Sequence, residues 1–164
     1  MAFDAFLKLG DVPGESSDAK HKGEIVVREY AFKVENPNSV GSSGAGAGAG
    51  KATFTDFNFS TAMSVASPQL FFACASGKHY PQAVLTLRRS GGTKSTEFYR
   101  VTFNTVLVSS YDEDAATTDD IPLVKVGLSF AAMKLEYFPQ TSSGAPGPPS
   151  TGAWDRTKNG PPNG

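Results

Sequence analysis

Apolar and polar residues alternate with a period of two along most of this chain, and this pattern limits its fold more than any other feature. Such alternation is typical of β-strands that pack one face inward. It predicts strands over residues 3–9, 24–35, about 51–63, about 83–87, about 96–109 and about 121–138. We therefore expect a protein that is mainly β.

The alternation changes phase in two of these strands. The spacing of Phe54, Phe57 and Phe59 breaks it in the third strand, and the apolar face of the last strand shifts near Ala131. We expect a β-bulge or a sharp bend at both places, as closed barrels use. The strand predicted over about 96–109 is expected to place these residues on one face: Tyr99, Val101, Phe103, Thr105 and Leu107. A hairpin turn is predicted at residues 90–93 and another turn at 11–14.

Only the segment between residues 67 and 77 carries convincing helix signals. Ser67 is a good N-cap, Pro68 suits the first helical position, and Gly77 can end the helix in the left-handed conformation. Residues 69–76 are apolar nearly all round, which predicts a helix buried against a sheet. Six or more strands with one helix indicate a β-barrel or a two-sheet sandwich.

Two segments have compositions that do not suit a core. Residues 37–50 form a loop rich in Gly, Ala and Ser, expected to project from the domain or to lie on another subunit. The tail over 139–164 is rich in Pro, Gly, Ser and Thr and is expected to be extended or mobile. It contains Trp154, the only tryptophan, which we expect to dock on the domain over residues 1–138. An exposed Trp154 is the alternative.

Composition and charge argue against several classes of protein. The 164 residues suit one domain, and 39% hydrophobic residues with twelve Phe can build a core. The net charge is −1 without a basic run, which argues against nucleic-acid binding. No apolar run has membrane-spanning length, and the N-terminal residues lack signal-peptide features. We expect folding in the cytoplasm and, if the protein leaves the cell, export without a cleaved signal peptide.

The glycine-rich run does not predict a nucleotide site. A phosphate-binding loop ending at Lys51 would need Gly at position 45, which is Ala45, and Ser or Thr at position 52, which is Ala52. A strand also follows it instead of the helix whose N-terminus would hold the phosphate. The dinucleotide fingerprint fails because Ala49 occupies its third glycine position.

The acidic residues, histidines and single cysteine are expected to be structural. Residues 112–114 and 119–120 lack the spacing of a calcium loop, and a solvated acidic loop is the better interpretation. His21 and His79 lie in no metal-ligand spacing. Cys74 has apolar neighbours and is expected to be a buried small hydrophobe. We predict no catalytic residue, no cofactor and no metal, while a triad assembled from distant residues stays an alternative that no motif supports.

Short stretches along nearly the whole chain match, in order, the motifs of one known family. The first covers residues 2–11, 14–18 and 21–25, and later ones cover 67–70, 73–79, 106–110 and 154–155. The positions that carry the motifs are Gly14, Glu15, Ser16, Asp18, His21, Lys22, Gly23, Ser109, Ser110, Trp154 and Asp155. Together these stretches resemble the haemolysin-coregulated protein (Hcp) family of type VI secretion systems.

This resemblance implies a compact two-sheet β-barrel with one short α-helix, assembled as a homo-hexameric ring. Rings of this family stack into the inner tube of a contractile secretion machine, with sheath and spike proteins as partners and small effector proteins in the lumen. It implies no enzymatic activity and no insertion into a membrane. The family's extended loop corresponds to residues 37–50, and the residues expected to contact the adjacent ring are Ser42, Ser43, Gly44, Gly46, Gly48, Gly50 and Lys51.

The chain also departs from the family pattern. Its loop is a Gly/Ala repeat where relatives are more polar, which predicts weaker ring stacking because more conformational entropy is lost on ordering. Glu24 stands where relatives often have Trp, and the tail is longer and looser. Two other functions stay open: a tail-tube subunit of a phage-like contractile particle, and a small-ligand-binding barrel.

Overall fold

The computed structural model describes residues 2–37, 50–89 and 95–162, and these ranges contain ten strands and one helix. In chain order the elements are β1 (Phe3–Leu9), β2 (Ile25–Val26), β3 (Glu29–Ala31), β4 (Val34–Glu35), β5 (Thr53–Phe54), β6 (Phe57–Ala62), α1 (Ala66–Ser76), β7 (His79–Arg89), β8 (Thr96–Asp114), β9 (Leu123–Tyr137) and β10 (Ser150–Asp155). The chain is mainly β with one short helix, as predicted. The hairpin turn predicted at 90–93 lies outside the described residues.

Most strands belong to one antiparallel sheet, in the order β2-β1-β7-β8-β9-β6-β3. One edge of β9 pairs with β8, and the other edge pairs with β6 through residues 123–128 and with β10 through 132–137. Because β6 and β10 share this edge, the sheet divides there, and it curls strongly into a half-barrel. β4 and β5 form a separate two-stranded ribbon that leads to the extended loop.

Residues 25–31 link the two edges of the curled sheet. β2 pairs with β1, and β3 pairs with β6. The Thr61 hydroxyl on β6 donates a hydrogen bond of 2.7 Å to the carbonyl of Val26 on β2. The prediction of a single strand over 24–35 is therefore wrong. The segment forms three short strands with three different partners, because it crosses from one sheet edge to the other and then enters the ribbon.

Aromatic rings fill the centre of the fold. Phe103 lies 4.8 Å from Phe57 and 5.0 Å from Phe130 between ring centroids, and all three side chains are buried. Burial of such large apolar side chains is the main favourable term in folding. Other fully buried side chains surround them: Leu7, Leu9, Ile25, Leu70, Leu85, Val101, Val106, Val108, Val124 and Leu128.

Irregular positions allow the strands to bend. The third predicted strand is broken at residues 55–56 into β5 and β6, as its change of phase indicated. In β8 the buried face changes at Thr105, which is exposed and has a φ of 53°. The predicted alternation through Thr105 and Leu107 is therefore wrong. The β-bulge predicted near Ala131 is wrong, because the register of β8 with β9 is the same at Asn104–Ala132 and at Val106–Phe130. The buried face of β9 changes there, between Phe130 and Met133, without a register shift.

The start of α1 differs from the prediction. Val65 is its N-cap and makes no side-chain capping bond, so the assignment of Ser67 as N-cap is wrong. Instead the Ser64 hydroxyl accepts a hydrogen bond from the Ala66 amide at 3.2 Å, and the Ser67 hydroxyl accepts one from the Ser64 amide at 3.0 Å. Gly77 ends the helix with a φ of 68°, as predicted.

The helix packs against the sheet as predicted, but only one side of it is buried. Leu70 and Ala73 pack into the core, whereas Phe71 and Phe72 are each 60% exposed. Cys74 is half-buried and packs against the core from its edge, so it is not the fully buried residue that the sequence indicated. An apolar helix flank facing outward is typical of a surface that another chain covers.

The acidic residues also lie differently from the prediction. β8 continues to Asp114, so residues 112–114 are part of a strand rather than a loop, and they pair with residues 123–125 of β9. Asp119 and Asp120 lie in the connection that follows. All five side chains are exposed to solvent, which agrees with their interpretation as a solvated cluster.

Candidate ring-assembly surfaces

The motif residues near the N-terminus build one tightly folded segment between β1 and β2. The Gly14 amide donates to the carbonyl of Gly23 at 2.7 Å, and the Gly23 amide donates to the carbonyl of Ser16 at 2.8 Å. A Cβ on Gly14 would lie 2.2 Å from the carbonyl oxygen of Glu24, and Gly23 has a φ of 75°. Both positions therefore favour glycine.

Asp18 fastens this segment to the barrel. Its carboxylate accepts hydrogen bonds from the amides of Lys20 and His21, and two more from Arg88 of β7 at 3.0 and 2.6 Å. Arg88 is only 5% exposed, and its guanidinium lies 4.8 Å from the ring centroid of Phe6. The hydrogen bonds from Arg88 are the main reason that the pKa of Asp18 falls from 3.8 to about 2.

The other motif residues of this segment divide into packed and exposed ones. The His21 ring stacks on Phe6 at 4.6 Å between centroids, and its Nδ1 lies 2.9 Å from the carboxylate of Glu24. Glu15 and Lys22 are exposed. His21 therefore has a packing role within the subunit, whereas Glu15 and Lys22 are free to contact another molecule.

Strands β3, β6, β9 and the second half of β8 present a largely polar face away from the core. An open groove of about 660 Å³ crosses this face. Its exposed lining includes Glu29, Ala31, Asn58, Asp112 and Lys125, and the buried Ser60 lies among them. The alternation of small polar residues with both signs of charge makes this face suitable for contact with a hydrated protein surface.

Ser109 and Ser110 shape this face from a β-bulge in β8. The Ser109 hydroxyl donates a hydrogen bond of 2.6 Å to the carboxylate of Asp56, at the start of β6. A Cβ on Gly127 of β9 would lie 2.4 Å from the Ser110 hydroxyl oxygen. Ser109 thus joins β8 to the start of β6 by a hydrogen bond, and Ser110 packs so closely on β9 that only glycine fits at position 127.

Both edges of this four-stranded face are unpaired within the described residues. β3 pairs with β6 alone, and β8 pairs with β7 only as far as Leu107, so residues 108–114 pair with β9 alone. All neighbouring strands on this face are antiparallel, so β3 and β8 run in opposite directions. Unpaired strand edges readily accept a further strand. The β3 edge of a second copy could therefore continue the sheet beside β8 in the antiparallel sense.

The structure describes the base of the predicted stacking loop but not its tip. Gly50 and Lys51 are described, whereas these predicted contact residues lie outside the described ranges: Ser42, Ser43, Gly44, Gly46 and Gly48. A Cβ on Gly50 would lie 2.1 Å from the carbonyl oxygen of Pro37, so the chain enters and leaves the loop at one place. Lys51 is exposed beside this point.

The C-terminal tail carries the last motif. Residues 150–155 form β10, which places the half-buried Trp154 opposite Met133 of β9. The Asp155 carboxylate accepts hydrogen bonds from the amide and hydroxyl of Thr157 at 2.9 and 2.5 Å, and these bonds lower the pKa of Asp155. The Trp-Asp pair therefore ends a strand and begins a tight turn.

Arg156 joins this turn to the ribbon. Its Nη1 donates a hydrogen bond of 2.9 Å to the carbonyl of Phe130, and its amide donates one of 2.8 Å to the carbonyl of Ala131. The guanidinium lies 5.2 Å from the ring centroid of Phe130 and 5.5 Å from that of Phe54 in β5. The tail thus holds the base of the extended loop against β9.

Several residues of these surfaces were not identified from the sequence. Arg88 comes directly after the apolar residues of β7. Its position in the alternation of that strand was the only sequence signal that it is buried. Arg156 directly follows the Trp-Asp motif, but nothing in the sequence indicated its distant partners. The exposure of Phe71 has no local signal, because an apolar helix residue gives the same pattern whether it faces its own core or a neighbouring molecule.

The described ranges give no support to a metal centre or a membrane helix. Among residues 2–37, 50–89 and 95–162, no three side chains of His, Cys, Asp and Glu come together as a metal site would require. Within the same ranges, no helix is both long and apolar enough to cross a membrane.

Comparison with known proteins agrees with these features. Residues 6–137 match the family described as "Type VI secretion system effector, Hcp". The protein hcp1 of Pseudomonas aeruginosa is 39% identical over 160 residues, which cover 97% of this chain and 98% of that protein.

Two solved structures are similar over nearly the whole chain. A type six secretion system protein gives a TM-score of 0.89 at 32% identity, over 96% of this chain and 98% of that one. Hcp1 from Salmonella typhimurium gives a TM-score of 0.80 at 34% identity, over 98% and 99%. The chain therefore belongs to the Hcp family of type VI secretion system proteins.

Proposed function

We propose that six copies of this chain close into a ring and that the rings stack into the inner tube of a type VI secretion system. The observation that carries the proposal is a pair of oppositely directed strand edges on one four-stranded face, which no strand of residues 2–37, 50–89 and 95–162 covers. An interface between two different edges is heterologous, and a heterologous interface repeated by rotation closes into a ring. Closure also removes the exposed edges that would otherwise promote aggregation.

In this ring the polar face of β3, β6, β9 and β8 lines the lumen. The groove across it offers Asn58 and Lys125 beside the carboxylates of Glu29 and Asp112. The charged and amide groups of such a wall suit a small, folded effector protein, because they form polar contacts and bridging waters with a hydrated protein surface. The subunit then acts as a carrier and a structural element, without bond-making chemistry.

The extended loop is proposed to contact the adjacent ring. β3 leads into the ribbon at one end of the lumen face, and the connection between β8 and β9 closes the opposite end. Head-to-tail stacking therefore brings the ribbon and loop of one ring to the far end of the next. Sheath and spike proteins complete the machine. The protein is secreted with the tube.

The two other functions receive less support. A phage-like contractile particle would use the same fold and ring, but the family match favours type VI secretion, and genomic neighbours would separate the two. A small-ligand-binding barrel needs an apolar cavity, whereas Phe57, Phe103 and Phe130 occupy the centre of the fold with close ring contacts.

The mass of the protein in solution tests the ring. The protomer has a mass of 17.2 kDa, so six copies give 6 × 17.2, or about 103 kDa, by size-exclusion chromatography with light scattering. A monomer up to millimolar concentration would refute the proposal.

Deletion of part of residues 44–50 then tests the loop: rings should persist while electron microscopy shows fewer or no stacked tubes. Loss of hexamers on deletion would contradict the assignment of the loop to ring–ring contact.

A further inference from the structure

A small apolar groove lies between α1 and β8, on the side of the sheet opposite the proposed lumen. It is lined by Phe71, Cys74 and Ala75 of the helix and by Tyr111 and Glu113 of the strand, and its volume is about 410 Å³. The ring of Phe71 meets that of Tyr111 edge to face at 5.9 Å. The Tyr111 hydroxyl donates a hydrogen bond of 2.6 Å to the Glu113 carboxylate, which holds this wall in place.

The groove borders the unpaired edge of β8. Tyr111 and Glu113 belong to residues 108–114, which pair with β9 alone within the described part of the chain. A strand added at this edge carries every second side chain over the helix side of the sheet. Such a strand would cover Phe71, whose exposed ring otherwise leaves a large apolar area in water.

The opposite edge of the lumen face supplies a matching side chain. Tyr30 and Phe32 both face the core side, where they pack against the hydrophobic cluster. Val34 continues this period of two but is 46% exposed, because nothing in its own subunit covers it within the described residues. Ala31 has the opposite parity and lies on the polar lumen face, where it lines the groove described above.

We propose that Val34 of a second copy fills the groove between Phe71 and Tyr111, with the β3–β4 edge of that copy running antiparallel to residues 108–114. This inference rests on the proposed ring and names the side chains that join its subunits. The helix flank that is exposed in one copy becomes buried in the ring.

Cys74, the only cysteine of the chain, is a built-in probe for this contact. We would introduce Val34→Cys and treat the protein with a short bifunctional maleimide. Cys74 and the new cysteine then lie in one interface, so denaturing gels should show a ladder of linked protomers up to six. Ala31→Cys is the matched control, since it is on the same edge but on the opposite face of the sheet. Cys74→Ala in the Val34→Cys background should abolish the ladder.

Two measurements separate failure of this inference from failure of the ring. If light scattering shows hexamers of Val34→Cys but no ladder forms, or Ala31→Cys gives an equal ladder, the groove contact is wrong and the ring stands. If the unmodified protein is a monomer, the ring itself is wrong. Val34→Asp gives an independent test. It should shift dissociation of the ring to higher protein concentration without changing the unfolding midpoint of the monomer, and an unshifted dissociation curve would overturn the inference.

Discussion

Replacement of Arg156 by Met tests how the tail holds the base of the extended loop. The change removes the hydrogen bond to the carbonyl of Phe130 and the two contacts with aromatic rings, and it keeps the apolar volume and the backbone bond to Ala131. A hydrogen bond from a charged group contributes about 1.5–3 kcal/mol, and a cation–π contact at a partly exposed site about 0.5–1 kcal/mol. Because Arg156 is half-exposed, we take the lower values and expect a loss of about 2–3 kcal/mol.

Trp154, the only tryptophan, reports on this region because it lies two residues away in β10. Urea unfolding would be followed by its fluorescence and by far-ultraviolet circular dichroism at one protein concentration, since ring assembly makes stability depend on concentration. With a typical urea slope of about 1–3 kcal/mol per M, the fluorescence midpoint should fall by about 1 M. The dichroism midpoint should fall less, because most strands do not contact the tail.

The matched control is Lys158→Met in the same turn. Lys158 is exposed and lies 4.0 Å from the Asp155 carboxylate, so its loss should change stability by less than about 0.5 kcal/mol. If Arg156→Met behaves like Lys158→Met, the contacts of Arg156 with β5 and β9 do not hold the tail. If both probes of Arg156→Met shift together, the tail is not a separate unit of stability, and the argument for a local effect fails.

Three further changes address the folded subunit. Gly14→Ala should destabilise by about 1–3 kcal/mol in urea unfolding, because its Cβ meets a carbonyl oxygen at 2.2 Å. Gly152→Ala should be near neutral, because its Cβ meets no atom of the described residues within 4 Å. The lowered pKa of Asp18 means that its bond to Arg88 contributes fully to stability above about pH 4 and is lost as the pH falls to about 2. The difference in thermal midpoint between wild type and Asp18→Asn should therefore vanish across that range. A constant difference would contradict this. Thr61→Val removes the hydrogen bond from β6 to the Val26 carbonyl of β2 and should lower the free energy of unfolding by about 1–3 kcal/mol. An unchanged midpoint of urea unfolding would contradict this.

The sequence predicted the long strands well because each keeps one buried face over many residues. β1 and β9 fall close to where the alternation placed them, and β8 begins where predicted but continues to Asp114. The buried face of β8 also changes at Thr105, a residue whose left-handed conformation has no sequence signal. The segment over 24–35 failed for a different reason. Its alternation is genuine, but it pairs with β1, then β6, then β5, and local pattern does not reveal a change of partner.

The candidate surfaces were harder to predict than the fold because they depend on contacts between distant residues. The motif positions from Gly14 to Gly23 were identified only through the family resemblance. Their physical reason became clear from the bond between Asp18 and Arg88, which are 70 residues apart. Likewise Trp154 and Asp155 were noted as a motif, while the contacts of Arg156 with Phe54 and Phe130 needed the folded chain.

The exposed side of α1 is informative about assembly. The sequence predicted an apolar helix buried against a sheet, and in a single subunit Leu70 and Ala73 are buried there while Phe71 is exposed. Hydrophobic patterning reflects the environment of a side chain in the final assembly, and it does not distinguish the subunit's own core from a surface that a neighbour covers. In the described part of the chain, an apolar helix flank lies uncovered next to an unpaired strand edge, and one missing partner best explains both. The linking of Cys74 to position 34 of a neighbouring copy decides whether that partner is the chain itself.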